Sequence, residues 1–218
     1  MKYEFEICEV GKSYRREFEI TTLCGLGFTS RNIDIIKAHI DEQLKIGITT
    51  SSDIPHYFLC WPGLISFSNR LFVVGNDSTG ELEFTIVKGN DEEVYIGLVS
   101  DHCDRQLSRV KVRKSKQVCC KPVSRQLWRY KDIKDHWDQI RLISWQYRGD
   151  EETLYQKGSL SDYITLEEII EFAERSMGVT HNYLVMAGTI NTISGYFEND
   201  GFKGKMIDPI LGRELIID

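Results

Sequence analysis

The stretch from Gly80 to Asp101 limits this 218-residue chain more than any other. Its halves, Gly80-Glu81-Leu82-Glu83-Phe84-Thr85-Ile86-Val87 and Val94-Tyr95-Ile96-Gly97-Leu98-Val99-Ser100-Asp101, are rich in β-branched and aromatic residues and flank a short polar segment. That pattern predicts a β-hairpin. Side chains alternate faces along a strand, so Glu81, Glu83 and Thr85 project one way while Leu82, Phe84 and Ile86 enter a core. With the turn centred on Asn90-Asp91, residues whose numbers sum to about 181 lie opposite one another. Ser100 then faces Glu81 with Asp101 beside it, and three acids converge. Such a cluster is unfavourable unless it is solvated, protonated or bound to a hard cation, and Mg²⁺ or Mn²⁺ with oxygen ligands meets that need. The same pattern also describes the solvated face of an amphipathic hairpin, and at this point both readings stand.

A chain of this length can bury a full core, so one domain, or one domain with a small N-terminal addition, is expected. The net charge of -6 argues against a nucleic-acid or anionic-membrane surface, both of which need a dense basic footprint, and favours a small-molecule partner. No apolar run approaches the roughly 20 residues of a membrane-spanning helix, and Met1-Lys2-Tyr3-Glu4-Phe5-Glu6 is unlike a secretory leader. The expected location is the cytoplasm. The six cysteines form no CxxC pair, which points to reduced thiols rather than a zinc site or a disulfide framework.

Along the chain, residues 2 to 20 alternate as a hairpin around Gly11-Lys12-Ser13. After Cys24-Gly25-Leu26-Gly27, Thr29 or Ser30 caps a helix carrying Ile33, Ile36, Ile40 and Leu44 and stopping at Gly47. His39 and Glu42 are neighbours on that helix, where a carboxylate can orient an imidazole and raise its basicity; an exposed pair of little energetic value fits the same spacing. Short strands are expected at Tyr57 to Trp61 and Arg70 to Val74. Past Asp101 lies the polar cluster His102-Cys103-Asp104-Arg105, then a basic run through Arg109, Lys111, Arg113, Lys114 and Lys116, which reads as a solvated face or as a source of one cation for a substrate carboxylate. Ile140 to Tyr147 and a return strand around Tyr155-Gln156 follow. Thr165 and Glu168 form a capping box for a helix closed by Gly178. Tyr183 to Ala187 is apolar throughout, as a strand buried on both faces should be, and delivers Gly188-Thr189, which could bind an anionic oxygen or simply form a turn.

In order and spacing these pieces resemble the catalytic domain of the fumarylacetoacetate hydrolase superfamily, whose members include acylpyruvases, oxaloacetate decarboxylases, 2-oxo acid hydratases and related isomerases. The resemblance covers about residues 25 to 215. It is carried by Arg31-Asn32 and His39-Ile40-Asp41-Glu42, by Gly80-Glu81-Leu82-Glu83, by Ser100-Asp101, by Lys116 with Pro122-Val123-Ser124, by Tyr155-Gln156 and by Gly188-Thr189. The segments Ser100 to Arg105, Ser115-Lys116-Gln117 and His136-Trp137-Asp138 are similar to an uncharacterised bacterial branch of that superfamily, a domain of unknown function. Gly188-Thr189-Ile190-Asn191 departs from the superfamily's Gly-Thr-Pro pattern.

The resemblance implies a mainly β fold with peripheral helices (α+β), a mixed β-roll, with residues 1–24 as an N-terminal hairpin layer, residues 25–218 as the catalytic domain, and a homodimer. It implies that Glu81, Glu83 and Asp101 bind Mg²⁺ or Mn²⁺. It further implies that His39, Glu42 and Lys116 are catalytic, and that Arg31, Arg105, Gln156, Gly188 and Thr189 bind substrate. The expected activity is cleavage of a C–C bond in small 2-oxo or 2,4-dioxo carboxylic acids. Decarboxylation of oxaloacetate and hydration or isomerisation of a 2-oxo acid are alternatives on the same site. A non-catalytic protein that holds a metal or a small acid is the alternative from another class.

Overall fold

Alternating sequence becomes two large sheets and two short two-stranded pairings wherever each strand finds a neighbour for its exposed backbone groups. The computed structural model describes residues 1–45, 53–193, 195 and 198–218. The N-terminal hairpin, β1 (Lys2–Glu9) and β2 (Lys12–Glu19), is followed by β3 (Thr22–Gly27), α1 (Ile33–Lys45) and β4 (His56–Cys60). Two short pieces, β5 (Ile65–Ser66) and β6 (Ser78–Thr79), lead to the acidic hairpin, β7 (Leu82–Lys88) and β8 (Val94–Ser100). Next come β9 (Cys103–Asp104), α2 (Arg105–Val110), α3 (Val112–Gln117), β10 (Lys121–Pro122), β11 (Gln126–Arg129) and α4 (Tyr130–Ile133). The rest is a second hairpin, β12 (Arg141–Arg148) and β13 (Glu151–Ser159), then α5 (Leu166–Met177), β14 (Tyr183–Met186), β15 (Gly201–Asp208) and β16 (Arg213–Ile217).

The larger sheet has eight strands in the order β2-β1-β11-β8-β7-β14-β3-β4. It is parallel at β1/β11 and β14/β3 and antiparallel elsewhere. The smaller one, β13-β12-β15-β16, is antiparallel throughout. The expected mainly β architecture with helices outside holds. The N-terminal hairpin is the edge of the larger sheet, and β3 runs across residues 24 and 25 without a break.

The acidic hairpin lies in the middle of that sheet, so both its faces are covered. Leu82, Phe84 and Ile86, with Ile96 and Leu98 across from them, pack on Leu142 and Met206 of the smaller sheet and on Leu166, Ile169 and Ala173 of α5. Val87, Tyr95 and Val99 point to the opposite face, against Phe5, Ile7, Phe18 and Leu127. Along β14 the same alternation sends Tyr183 and Val185 to the first cluster and Leu184 and Met186 to the second, which is why that strand is apolar throughout. Helix α5 begins with the expected box, in which the Thr165 hydroxyl accepts from Glu168 N–H and Glu168 reaches back to Thr165 N–H, and ends at a left-handed Gly178.

Two expectations need correction. Leu82 pairs with Ser100 and Glu83 with Val99, one residue away from the anticipated register. Because Lys88 pairs with Val94, the loop is centred on the single residue Asp91, and Asp101 rather than Ser100 stands opposite Glu81. Asp101 N–H donates to Glu81 O at 2.8 Å. Residues Arg70 to Val74 form no strand, and Phe72 and Val74 are 95% and 90% exposed. Their β-forming composition reports suitability for a pleated, half-buried surface, and the fold supplies no such neighbour. The expected helix stop at Gly47 lies outside the described residues.

Candidate active site

The register brings the acids together. Glu81 lies immediately before β7, Glu83 sits within it and Asp101 follows β8, all on the sheet face opposite Phe84. All three are buried, and one carboxylate oxygen from each lies within 4.8 Å of the others. The solvated-face reading therefore fails, since a buried carboxylate needs a compensating charge or hydrogen bond.

Part of that compensation is lysine and arginine. The Arg105 guanidinium at the start of α2 lies 2.7 Å from Glu81 Oε1 and also donates to Thr79 Oγ1. Lys116, turned inward from α3, bridges Glu81 Oε2 and Asp101 Oδ2, the latter at 2.6 Å. Lys121 of β10 is fully buried, with Nζ 2.8 Å from Asp101 Oδ1 and donating to the His102 carbonyl. Burial by itself would raise the Glu81 carboxyl, but Lys116 and Arg105 outweigh it and hold it at about 2. Burial would likewise strip Lys116 of its proton, yet the Asp101 and Glu81 carboxylates keep that proton on well above the usual lysine range. Glu83 goes the other way, because burial and the neighbouring Asp101 carboxylate push it well above 4.5. Burial drives His102 down to about 3 and the Cys103 thiol up to about 11, so both are neutral.

A ring of uncharged groups fixes the two strand ends. Ser100 Oγ accepts from Glu81 N–H at 3.1 Å and is hydrogen-bonded to His102 Nδ1 at 2.7 Å. Gln156, fully buried, accepts from Leu82 N–H and Ser144 Oγ and donates to Thr189 Oγ1 and Ile190 O. Its amide is thereby saturated by protein, so it locks β7 in place rather than offering a group to a ligand. Gly188 N–H donates to Glu83 Oε2 at 2.8 Å, while Thr29 and Tyr163 hold the Ala187 and Gly188 carbonyls. Gly188 has φ +97°, and an added Cβ would lie 2.6 Å from Thr29 Oγ1. Gly188→Ala is expected to destabilise the protein by about 1–3 kcal/mol and to loosen Glu83. Urea denaturation checks this, and a loss below about 0.5 kcal/mol would contradict it.

The remaining expected site residues divide. Thr189 lies in the ring, its hydroxyl 3.2 Å from Leu82 O. Arg31 is not part of this cluster: Asp138 holds its guanidinium through two bonds of 2.8 and 3.1 Å at the rim of a separate cleft of about 420 Å³. The side chains of His39 and Glu42 lie outside the described residues, although α1 includes both positions. Sequence reasoning missed Lys121 and Tyr163. The available signal for Lys121 was a lone charge in the otherwise uncharged run Cys119-Cys120-Lys121-Pro122-Val123; nothing in the sequence marks Tyr163.

The donor set suits a hard divalent ion. It is oxygen only, drawn from three residues, and its spacing is close to the span of an octahedral Mg²⁺ or Mn²⁺ shell. Binding there would displace the Glu83 proton. That proton favours the folded state at low pH, a contribution lost as pH rises through the raised value. Ion affinity is therefore expected to climb with pH above 4.5 until Glu83 is ionised, with release of a proton. Mn²⁺ calorimetry in buffers of different ionisation heat measures both, and pH-independent affinity between about pH 5 and pH 8 would exclude the linkage.

A family model described as "Protein of unknown function (DUF2848)" matches residues 26–217. No curated protein matches. Among solved structures, the chain is similar to Cg1458 with inhibitor, at 18% identity and a TM-score of 0.67, covering 94% of this chain and 81% of that one. It is also similar to 2-keto-3-deoxy-D-arabinonate dehydratase complexed with magnesium and 2,5-dioxopentanoate, at 15% identity and a TM-score of 0.64, covering 93% and 74%. A third likeness is to an uncharacterized protein from Mycobacterium abscessus, at 15% identity and a TM-score of 0.60, covering 94% and 83%. The fold shared with these structures is the fumarylacetoacetate hydrolase type.

Proposed function

Because the chain belongs to the DUF2848 family, described only as of unknown function, its chemistry has to be read from the site, and we propose a divalent-metal-dependent enzyme of the fumarylacetoacetate hydrolase superfamily that cleaves a C–C bond in small 2-oxo or 2,4-dioxo carboxylic acids. The observation that carries this reading is the meeting of Glu81, Glu83 and Asp101 at one buried point. The likeness to a dehydratase described with magnesium and 2,5-dioxopentanoate supports it.

In this reading Glu81, Glu83 and Asp101 hold Mg²⁺ or Mn²⁺, which supplies Lewis-acid polarisation of a 2-oxo group, typically several kcal/mol. Lys116, beside Glu81 and Asp101, keeps a positive charge next to the negative charge that develops as the C–C bond breaks. Thr189 adds a hydroxyl for a substrate oxygen. Arg105 fixes one Glu81 oxygen, so that the carboxylate does not rotate as charge shifts. His39 is the base that takes a proton from the attacking water, with Glu42 orienting its ring. Burial of the acids keeps bulk water from screening these interactions.

The test is turnover. Purified protein with Mg²⁺ or Mn²⁺ should consume acylpyruvates or oxaloacetate, with product analysis separating hydrolysis from decarboxylation, and His39→Ala should lose that activity. A folded, ion-loaded protein inert across a broad panel of 2-oxo acids would leave a metal-binding or small-acid-binding protein as the reading.

A further inference from the structure

Two glycines open the larger sheet beside the acid cluster. The face that carries Glu83 also carries Met186 of β14 and Phe58 of β4, and between those two strands β3 presents Gly25 and Gly27. With no Cβ on either glycine, side chains of β4 lean across β3: a Cβ on Gly25 would collide with the Phe58 ring, and one on Gly27 with the His56 imidazole. The two rings lie side by side, their centroids 6.5 Å apart and their planes 33° apart, and so make one shallowly bent aromatic surface. Filling that space alone would be served at less conformational cost by a β-branched residue on β3.

The surface starts at the acids and runs outward. Lys116 Nζ, which bridges Glu81 and Asp101, stands over the Phe58 ring, 5.9 Å from its centroid. Further along, Gly27 Cα lies 3.8 Å from the position of a Cβ on Gly188, the residue whose N–H holds Glu83. Phe58 is buried, whereas His56 is half-buried. Phe28 closes the outer end with its ring against the imidazole at 4.8 Å. Its φ of +61° is costly for a bulky residue. It is kept there because the next residue is held from two sides: Thr29 Oγ1 donates to Ala187 O at 2.6 Å, and Thr29 O accepts from Ile164 N–H at 2.8 Å.

We infer that Phe58 and His56 form the subsite for the far end of the substrate, and that this end is a flat, π-bonded group rather than a saturated one. The inference rests on the metal-dependent reading above, in which the 1-carboxylate and 2-oxo group sit at the acids. The remainder of the substrate then extends past Lys116 onto the two rings. Ring faces are electron-rich and ring edges electron-poor, so a flat π group finds offset-stacked or edge-on partners there that a saturated group of the same bulk does not. Phe28 fixes the imidazole plane from outside.

The experiment uses 2-oxo acids that lack a 4-carbonyl and so survive the proposed C–C cleavage: 2-oxo-4-phenylbutanoate, 4-cyclohexyl-2-oxobutanoate and 2-oxopentanoate. Each is titrated calorimetrically into wild-type protein loaded with Mg²⁺, and Mg²⁺ binding is measured separately. The phenyl acid is expected to bind about tenfold or more tightly than 2-oxopentanoate, and several-fold more tightly than the cyclohexyl acid, which matches its bulk but is not flat. His56→Leu and Phe58→Leu should each bring the phenyl-to-cyclohexyl ratio towards one, while His56→Phe, which keeps a flat ring, should preserve it. Rings that only prop up the fold would, on removal, weaken all three ligands together. A wild type that binds the phenyl acid no better than the cyclohexyl acid overturns this inference and leaves the metal-dependent reading intact, as does a ratio that both leucine variants preserve. Failure to bind Mg²⁺, or failure of all three acids to bind the loaded protein, overturns both. Should Phe58→Leu not fold, His56→Leu against His56→Phe decides, and if neither leucine variant folds the wild-type ratio alone does.

Discussion

Glu83→Gln and Asp101→Asn should each lower kcat/KM by about 10³ or more, since losing several kcal/mol of Lewis-acid stabilisation costs a factor of ten per 1.4 kcal/mol. Both amides keep the shape of the side chain and remove its charge, and both should weaken Mn²⁺ binding. Their effects on stability should part company. Asp101 answers two lysines, so Asp101→Asn leaves buried ammonium groups short of a partner and is expected to cost about 3–5 kcal/mol. Glu83 accepts the Gly188 backbone N–H and is crowded by Asp101. An amide there still accepts from Gly188 N–H without the charge repulsion, so in a chelating buffer Glu83→Gln should be at least as stable as wild type. Thermal denaturation with and without Mn²⁺ reads both effects. A Glu83→Gln protein that binds Mn²⁺ and turns over substrate like wild type would remove the metal centre from the account.

Phe84→Ala is expected to cost about 3–5 kcal/mol, a large share of the roughly 5–15 kcal/mol that holds a domain together. Phe84 is fully buried in the central strand, with its ring edge-on to Trp137 at 5.3 Å and to Tyr163 at 4.9 Å. Truncation leaves a cavity between the two sheets that neither aromatic neighbour can fill by a rotamer change alone. The damage should reach the site, because Tyr163 holds the Gly188 carbonyl and Gly188 in turn holds Glu83. Phe84→Leu, which keeps most of the volume, should cost much less. Urea denaturation of the two variants checks the difference, and a Phe84→Ala loss below about 1 kcal/mol would mean that the interior is loosely packed there.

Much of the framework was legible because it depends on short-range geometry. Alternation along β7 put Glu81 and Glu83 on the face away from Leu82 and Phe84, and the packing confirms that division. Thr165, Glu168 and Gly178 marked both ends of α5 because capping is settled within one helical turn. The register error came from the hairpin loop, where a single central residue and a central pair differ by one position and propensity does not choose between them. Arg70 to Val74 failed for a related reason, since a segment suited to a strand still needs a neighbouring edge to pair with.

A pleat or a helical turn is set by each residue's own neighbours in the chain, and so the shared face of the two glutamates followed from the order of amino acids. Which distant segments come to lie beside those glutamates follows from how the whole interior closes, and that alone brought Lys121 to Asp101, Gln156 to the start of β7 and Gly188 to Glu83. It also took Arg31 to Asp138 instead. Charges that meet through space leave no spacing in the chain to read, because their attraction depends on distance and burial rather than on sequence separation.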